Sequence, residues 1–146
     1  MMLTASFSTP LGVISITGDR NGIASISIRD NGTVSDETPF ALQSATTELN
    51  EYFAGKRTNF TFPINPHGTN FQKRVWNELR TIPFGTTLSY LELSKQLGDV
   101  KAIRAVASAN AKNPLWIVVP CHRVIGTNGT LTGYAGGLWR KKWLRT

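Results

Sequence analysis

Cys121 is the only cysteine among 146 residues, and its segment, Val119-Pro120-Cys121-His122-Arg123-Val124, could make it a nucleophile. A thiol attacks as the thiolate, and a neighbouring imidazole or cation favours that form. Adjacent side chains in an extended segment point to opposite faces, however, so adjacency to His122 does not establish contact. A lone cysteine among apolar residues is more often a buried core residue. The residues alone therefore leave a nucleophile and a core thiol as alternatives.

Metal chemistry is disfavoured because the chain has few candidate ligands. One cysteine and two histidines, His67 and His122, cannot supply the four ligands of a structural zinc site. A single cysteine also excludes an internal disulfide and fits a reducing compartment, which predicts a cytoplasmic protein. No apolar run approaches the ~20 residues of a membrane span, and the N-terminus lacks a signal-peptide pattern. We expect no metal, no cofactor and no membrane partner.

Two short helices are predicted upstream of the cysteine, in the order of a helix-turn-helix. Ser89-Tyr90-Leu91-Glu92 matches a capping box that starts the first helix. Asp99 caps the second helix, in which Val100, Ile103 and Val106 are expected to face inward. The opposite face of that second helix carries small side chains and cations: Lys101, Arg104, Ala105, Ser108 and Lys112. Paired short helices are common in helical domains, so this pattern alone is a weak signal.

The N-terminal part is predicted to be a small sheet with one helix. Three segments rich in β-branched residues and separated by turn sequences favour an antiparallel meander: residues 3–8, 11–17 and 22–28. Apolar spacing predicts a helix over residues 40–55, and residues 58–66 are interpreted as a short strand running into a linker. The expected fold is α+β, with an N-terminal domain over residues 1–66 and a mainly helical C-terminal domain over residues 67–146.

Charge is distributed unevenly along the chain. Residues 1–100 hold eight Lys and Arg and all nine Asp and Glu, whereas residues 101–146 hold eight Lys and Arg and no acid. A basic half suits a polyanionic partner, although a solvated basic surface has the same composition. The small side chains of residues 105–111 allow close approach to another surface, either a neighbouring helix or a nucleic-acid groove.

Six segments are similar to those of one known family: Ile82-Pro83-Phe84-Gly85, Ser89-Tyr90, Arg104-Ala105-Val106, Asn113-Pro114, residues 117–125 around Cys121, and Gly133-Tyr134-Ala135-Gly136-Gly137-Leu138. Together they resemble the methylated-DNA–protein-cysteine methyltransferases, or 6-O-alkylguanine-DNA alkyltransferases, over residues 69–146. The resemblance implies transfer of an alkyl group to the thiol from the 6-oxygen of guanine, or the 4-oxygen of thymine, in a base flipped out of double-stranded DNA. It also implies a monomer that needs no protein partner and is consumed in a single turnover, because a thioether is a poor leaving group.

The resemblance also assigns roles to individual residues. It makes Cys121 the alkyl acceptor and His122 the base that forms the thiolate through a water molecule. It implies that Asn113 fixes the turn before the cysteine, that Tyr134 hydrogen-bonds the leaving guanine, and that Arg104 fills the gap left by the flipped base. Further DNA contacts are expected from Tyr90, which would press on the phosphate beside the target, and from small or basic residues: Lys101, Ala105, Ser108, Lys112, Arg123 and Lys141.

The chain departs from the family pattern at two places. Ala135 stands where many members have serine. No carboxylate follows Asp99, whereas the family usually has a glutamate near its C-terminus that orients the histidine. We therefore expect the pKa of Cys121 to be lowered less, and alkyl transfer to be slower, than in a member that keeps the glutamate.

Three other functions compete with alkyl transfer. The first is a damage sensor that binds alkylguanine without transfer, but such relatives replace the nucleophile, usually by tryptophan. The second is a Cys-His hydrolase, for which nothing in the sequence marks an oxyanion hole. The third is a helix-turn-helix regulator, which needs more base-reading side chains than the alanine-rich helix offers.

Overall fold

A computed structural model describes residues 2–126 and 138–145 of the chain. The chain divides into two compact units, of which the first comprises Met1–His67 together with Pro114–Trp116. The second comprises Gly68–Asn113 and Ile117–Thr146. Within the described residues, no helix combines the length and the apolar character needed to cross a bilayer.

The first unit is built on an antiparallel sheet in the order β1 (Leu3–Thr9), β2 (Gly12–Asp19) and β3 (Gly22–Arg29). Successive side chains of each strand point to opposite faces of the sheet, and one face is buried. On that face isoleucines of β2 lie opposite isoleucines of β3, as Ile16 does with Ile26. A 3-10 turn leads into α1 (Gln43–Phe53), whose buried residues include Ala45 and Leu49. The predicted α+β class is confirmed.

The outer edge of β3 binds two short segments from elsewhere in the first unit. Ile23 donates to the Pro63 carbonyl at 2.9 Å, and Ile26 donates to the Pro114 carbonyl at 2.8 Å. The strand predicted over residues 58–66 is wrong, since only Ile64 forms a bridge there. Proline lacks the N–H that a continuing ladder requires, which limits this pairing. The segment Pro114–Trp116, which leads towards the cysteine, is thus held by β3.

Helices form most of the described second unit. Thr69 begins α2 (Asn70–Leu79) and Ser89 begins α3 (Tyr90–Gln96), each with a capping box closed by the residue three positions later. The capping box predicted at Ser89 and Glu92 is therefore confirmed, with Glu92 N–H donating to the serine hydroxyl at 3.0 Å. The helix α4 (Ile103–Ala111) packs on α2, where the Trp76 indole donates to the Ala109 carbonyl at 2.9 Å.

The turn between α3 and α4 is consistent with the predicted helix-turn-helix. Asp99 accepts from Lys101 N–H and starts a 3-10 turn, Val100–Ala102, before the α-helix begins. Val100 is 47% exposed, so its predicted inward position is wrong. The 3-10 turn has three residues per turn, which shifts the phase of residues that α-helical periodicity places inward.

The remaining elements of the second unit surround the cysteine. Cys121–Arg123 forms a 3-10 turn that continues into β5 (Val124–Ile125). The two residues of β5 pair in parallel with β4 (Leu88–Ser89), which directly precedes α3. The last helix, α5 (Leu138–Arg145), packs against the 3-10 turn.

Candidate functional site

The cysteine lies where two consecutive tight turns overlap. Pro120 has φ −81° and ψ 62°, the conformation of an inverse γ-turn, and Cys121 N–H donates to the Val119 carbonyl at 2.8 Å. Arg123 N–H then donates to the Pro120 carbonyl at 3.0 Å. Proline suits the centre of the γ-turn because its ring already holds φ near −65°. The backbone on both sides of Cys121 is therefore fixed by local hydrogen bonds.

Asn113 joins the end of α4 to this turn. Its side-chain Nδ2 donates to the Val119 carbonyl at 2.7 Å, and the residue is only 4% exposed. The same carbonyl accepts from Cys121 N–H, so one oxygen connects the end of α4 to the cysteine. The position matches the turn-fixing role that the resemblance implies for Asn113.

Cys121 and His122 are both buried, with 4% and 0% of their surfaces exposed. They are consecutive residues of the same 3-10 turn. Burial surrounds the thiol with protein rather than bulk water, which excludes large reagents and favours chemistry on a group that enters the site. Tyr134, the other predicted catalytic residue, lies outside the described residues.

Arg123 is largely buried and makes contacts inside the second unit. It is 9% exposed, and its Nη1 donates to the Ile82 carbonyl at 2.6 Å. Its guanidinium also lies 5.6 Å from the centre of the Phe84 ring. The DNA contact that the resemblance implies for Arg123 stays a prediction, and these internal contacts favour a different role.

Lys141 lies on α5, the helix that packs against the Cys121–Arg123 turn, and none of its surface is exposed. The DNA contact expected of Lys141 stays a prediction.

The outer face of α4 is exposed as the sequence predicts. Arg104 projects from this surface, which we call the α4 face; its members are all exposed: Lys101, Arg104, Ala105, Ser108 and Lys112. The opposite side of the helix is buried through Val106, Ala109 and Asn110. Small residues thus surround a long cation on a surface that a polyanion can approach.

Asn110 was not singled out from the sequence, where it looks like one more small residue of α4. In the structure it is 2% exposed, and its Nδ2 donates a long hydrogen bond of 3.5 Å to the Tyr90 hydroxyl oxygen. Tyr90 is half-buried at the first position of α3. The only sequence signal was that Asn110 falls on the side of the helix expected to face inward. A buried amide there indicates a polar partner inside the protein.

Potential metal ligands do not cluster in residues 2–126 and 138–145. No group of three or more His, Cys, Asp or Glu side chains lies close enough there to hold a metal ion.

Comparisons with known proteins agree on one family. Residues 2–66 match the family model described as "6-O-methylguanine DNA methyltransferase, ribonuclease-like domain", and residues 70–146 match "6-O-methylguanine DNA methyltransferase, DNA binding domain". A methylated-DNA–protein-cysteine methyltransferase of Methanosarcina acetivorans is 44% identical over 98% of this chain and 96% of its own length. A constitutive enzyme of that name from Bacillus subtilis is 43% identical over 88% of this chain and 83% of its own.

Solved structures show the same likeness. The crystal structure of the Mycobacterium tuberculosis O6-methylguanine methyltransferase matches with a TM-score of 0.88 and 40% identity, covering 99% of this chain and 91% of that one. A structure of Mycobacterium tuberculosis OGT in complex with DNA matches with a TM-score of 0.87 and 41% identity, covering 97% of this chain and 89% of that one. On this sequence identity over nearly its whole length, the chain belongs to the methylated-DNA–protein-cysteine methyltransferases, an enzyme family of DNA repair.

Proposed function

We propose that the protein repairs DNA by transferring an alkyl group, methyl above all, from the 6-oxygen of guanine to Cys121. The observation that carries this is the cysteine itself, which stands in a doubly closed turn tied to α4 through Asn113. That helix presents the exposed α4 face, and relatives are named as methylated-DNA–protein-cysteine methyltransferases. The 4-oxygen of thymine carries the same kind of alkyl–oxygen bond and is the second lesion we propose.

The proposed reaction is a single displacement at carbon. The thiolate forms a bond to the alkyl carbon, and the bond between that carbon and the 6-oxygen breaks. The electron pair of the broken bond stays on the base, which becomes unmodified guanine once it gains a proton. The thiol proton leaves through His122 and a water molecule, and one proton reaches the guanine, for which Tyr134 is the proposed hydrogen-bond donor. The product is an S-alkylcysteine, a thioether whose sulfur is a poor leaving group, so each molecule acts once.

DNA engagement is proposed through the α4 face. Its small side chains admit close contact with the backbone of a groove, and Arg104 can fill the space of an extruded base. Flipping costs a few kcal/mol, part of which phosphate contacts by Lys101 and Lys112 offset. Asn110 supports the role proposed for Tyr90: an amide that donates to the tyrosine oxygen leaves the hydroxyl proton to donate to a phosphate.

The protein is proposed to act as a monomer in the cytoplasm, without a cofactor. The displacement needs only a reduced thiol, a proton relay and the alkylated base. A reducing compartment keeps the thiol in that state.

The test is intact-mass measurement after incubation with an equimolar duplex that contains one 6-O-methylguanine. We expect each protein molecule to gain one methyl group in place of one hydrogen, and a second equivalent of duplex to give no further repair. Binding without any mass change would identify a damage sensor and overturn the proposal. Repeated turnover of an ester or peptide would identify a hydrolase instead.

Arg104→Ala is expected to slow repair of duplex DNA about tenfold to 100-fold, because the extruded base loses the side chain that replaces it in the stack. Reaction with free 6-O-benzylguanine, whose benzylic carbon is activated and which needs no flipping, should change less than twofold. Rapid-quench rates with both substrates measure the difference. Arg80→Ala, which removes an exposed arginine at the end of α2, is the control. Equal slowing with both substrates would contradict the base-replacing role.

A further inference from the structure

Ile82, in the connection between α2 and α3, is buried and lies between two hydrogen-bonded turns. Ile82 is 3% exposed, and its N–H donates to the Leu79 carbonyl at the end of α2. A turn follows at once, in which Thr86 N–H donates to the Pro83 carbonyl at 3.1 Å and Gly85 has φ 83°, as a type II turn requires. A group bonded to Ile82 is therefore attached to a buried, hydrogen-bonded part of the second unit.

The Arg123 guanidinium binds that carbonyl at 2.6 Å and lies over the Phe84 ring of the same turn. A charge-assisted hydrogen bond is shorter and stronger than a neutral one, and the planar guanidinium can also lie on an aromatic face. Burying an arginine is costly without such partners. These two partners hold the Arg123 side chain in one place. Because Arg123 follows Cys121 by two residues, the same contacts hold the cysteine turn.

The backbone alone gives the same side of the turn a weak attachment. The β4 and β5 strands pair over only two residues each, and a two-stranded ladder of that length is marginal by itself. On the other side, Asn113 holds the Val119 carbonyl, two residues before the cysteine. Arg123 therefore adds a side-chain attachment on the side of the turn that follows Cys121.

We propose that Arg123 is a positioning residue for the alkyl-transfer reaction, holding the cysteine turn against the α2–α3 connection through the Ile82 carbonyl and the Phe84 ring. This proposal rests on the proposed function of Cys121. It replaces a DNA contact of Arg123 with an internal one. Arg123 does not touch the alkyl group or the base; it sets where the thiol stands when they arrive.

The test compares Arg123→Met, which keeps side-chain length but loses the charge, with Arg123→Lys, which keeps one donor and the charge. Arg80→Met, which removes an exposed arginine from the same unit, is the matched control. Three quantities are measured for each: the transfer rate at saturating methylated duplex, the transfer rate with free 6-O-benzylguanine, and the Kd for DNA over a series of salt concentrations. Thermal unfolding establishes that each variant is folded.

A misplaced reactive group costs rate rather than affinity, so Arg123→Met is expected to lose at least about tenfold in both transfer rates. The DNA Kd should stay within twofold, and Arg123→Lys should recover part of the rate. The proposal is overturned if both transfer rates of Arg123→Met equal those of the wild-type protein. It is also overturned if the DNA Kd rises and its salt dependence falls by about one ion while the rate with free 6-O-benzylguanine is unchanged, since that pattern marks a phosphate contact. If Arg123→Met does not fold, the same outcomes apply to Arg123→Lys. Wild-type protein that gains no methyl group would instead count against the proposed function.

Discussion

Cys121→Ala is expected to gain no mass on incubation with methylated duplex under conditions that convert the wild-type protein completely. The chain has no other thiol, and oxygen or nitrogen nucleophiles are too weak at neutral pH to replace it. Loss of a nucleophile on which the whole reaction depends lowers the rate by at least about 1,000-fold. Cys121→Ser, nearly the same shape with a much less acidic group, should fail equally.

DNA binding is the control for the cysteine variants. The thiol is 4% exposed, whereas the α4 face is on the surface, so Cys121→Ala should leave the Kd for methylated duplex within twofold. Electrophoretic or fluorescence titration at fixed salt measures it. An equal loss of binding and transfer would make the cysteine a structural residue. A mass gain in the alanine variant would place the acceptor at another side chain.

Local features of the fold could be predicted because their causes are local. The capping box at Ser89 and Glu92 is a signal within four residues, and its two hydrogen bonds form as predicted. The antiparallel meander follows from alternation and from turns that join neighbouring strands. The exposed α4 face follows from helical periodicity, although Val100 shows how a 3-10 turn displaces that phase.

Contacts between distant parts of the chain could not be predicted in this way. The resemblance implies a DNA contact for Arg123, whereas its burial beside the Ile82 carbonyl, 41 positions away in the chain, has no local sequence signal. The attachment of Pro114–Trp116 to β3 has the same origin, since Ile26 offers a backbone edge that leaves no mark on the sequence. Such contacts depend on which distant residues the tertiary fold brings together, and the residue type at a single position does not reveal that.

Ile117 is a further case in which tertiary structure overrides local preference. Its φ of 75° lies in the left-handed region, which β-branched residues rarely adopt. The residue stands between the β3-bound segment Pro114–Trp116 and the Val119 carbonyl that Asn113 holds. Backbone strain persists where surrounding contacts over-determine it, and here those contacts flank the path to the cysteine.

Asn113→Leu is expected to slow alkyl transfer about 100-fold, the cost of misplacing a reactive group by about 1 Å. Leucine has a similar shape but no donor, so the Val119 carbonyl would lose the bond from Asn113 and keep the bond from Cys121 N–H. The γ-turn would then lose its side-chain link to the end of α4. The loss of a buried hydrogen bond should also lower the free energy of unfolding by about 1–3 kcal/mol. Single-turnover kinetics and denaturant unfolding measure the two effects.

Asn77→Leu, at an exposed position on α2, is the matched control and should leave both quantities nearly unchanged. The Asn113 effect is expected to exceed that of Arg123, because the carbonyl Asn113 holds is the same one that binds the cysteine N–H, whereas the Arg123 side of the turn retains the β4–β5 pairing. The rate at which iodoacetamide labels Cys121 distinguishes a displaced thiol from a less reactive one. A turn that has opened should expose the thiol and raise its labelling rate while transfer falls. Transfer at the wild-type rate in a folded Asn113→Leu protein would show that the γ-turn holds the thiol without help from α4.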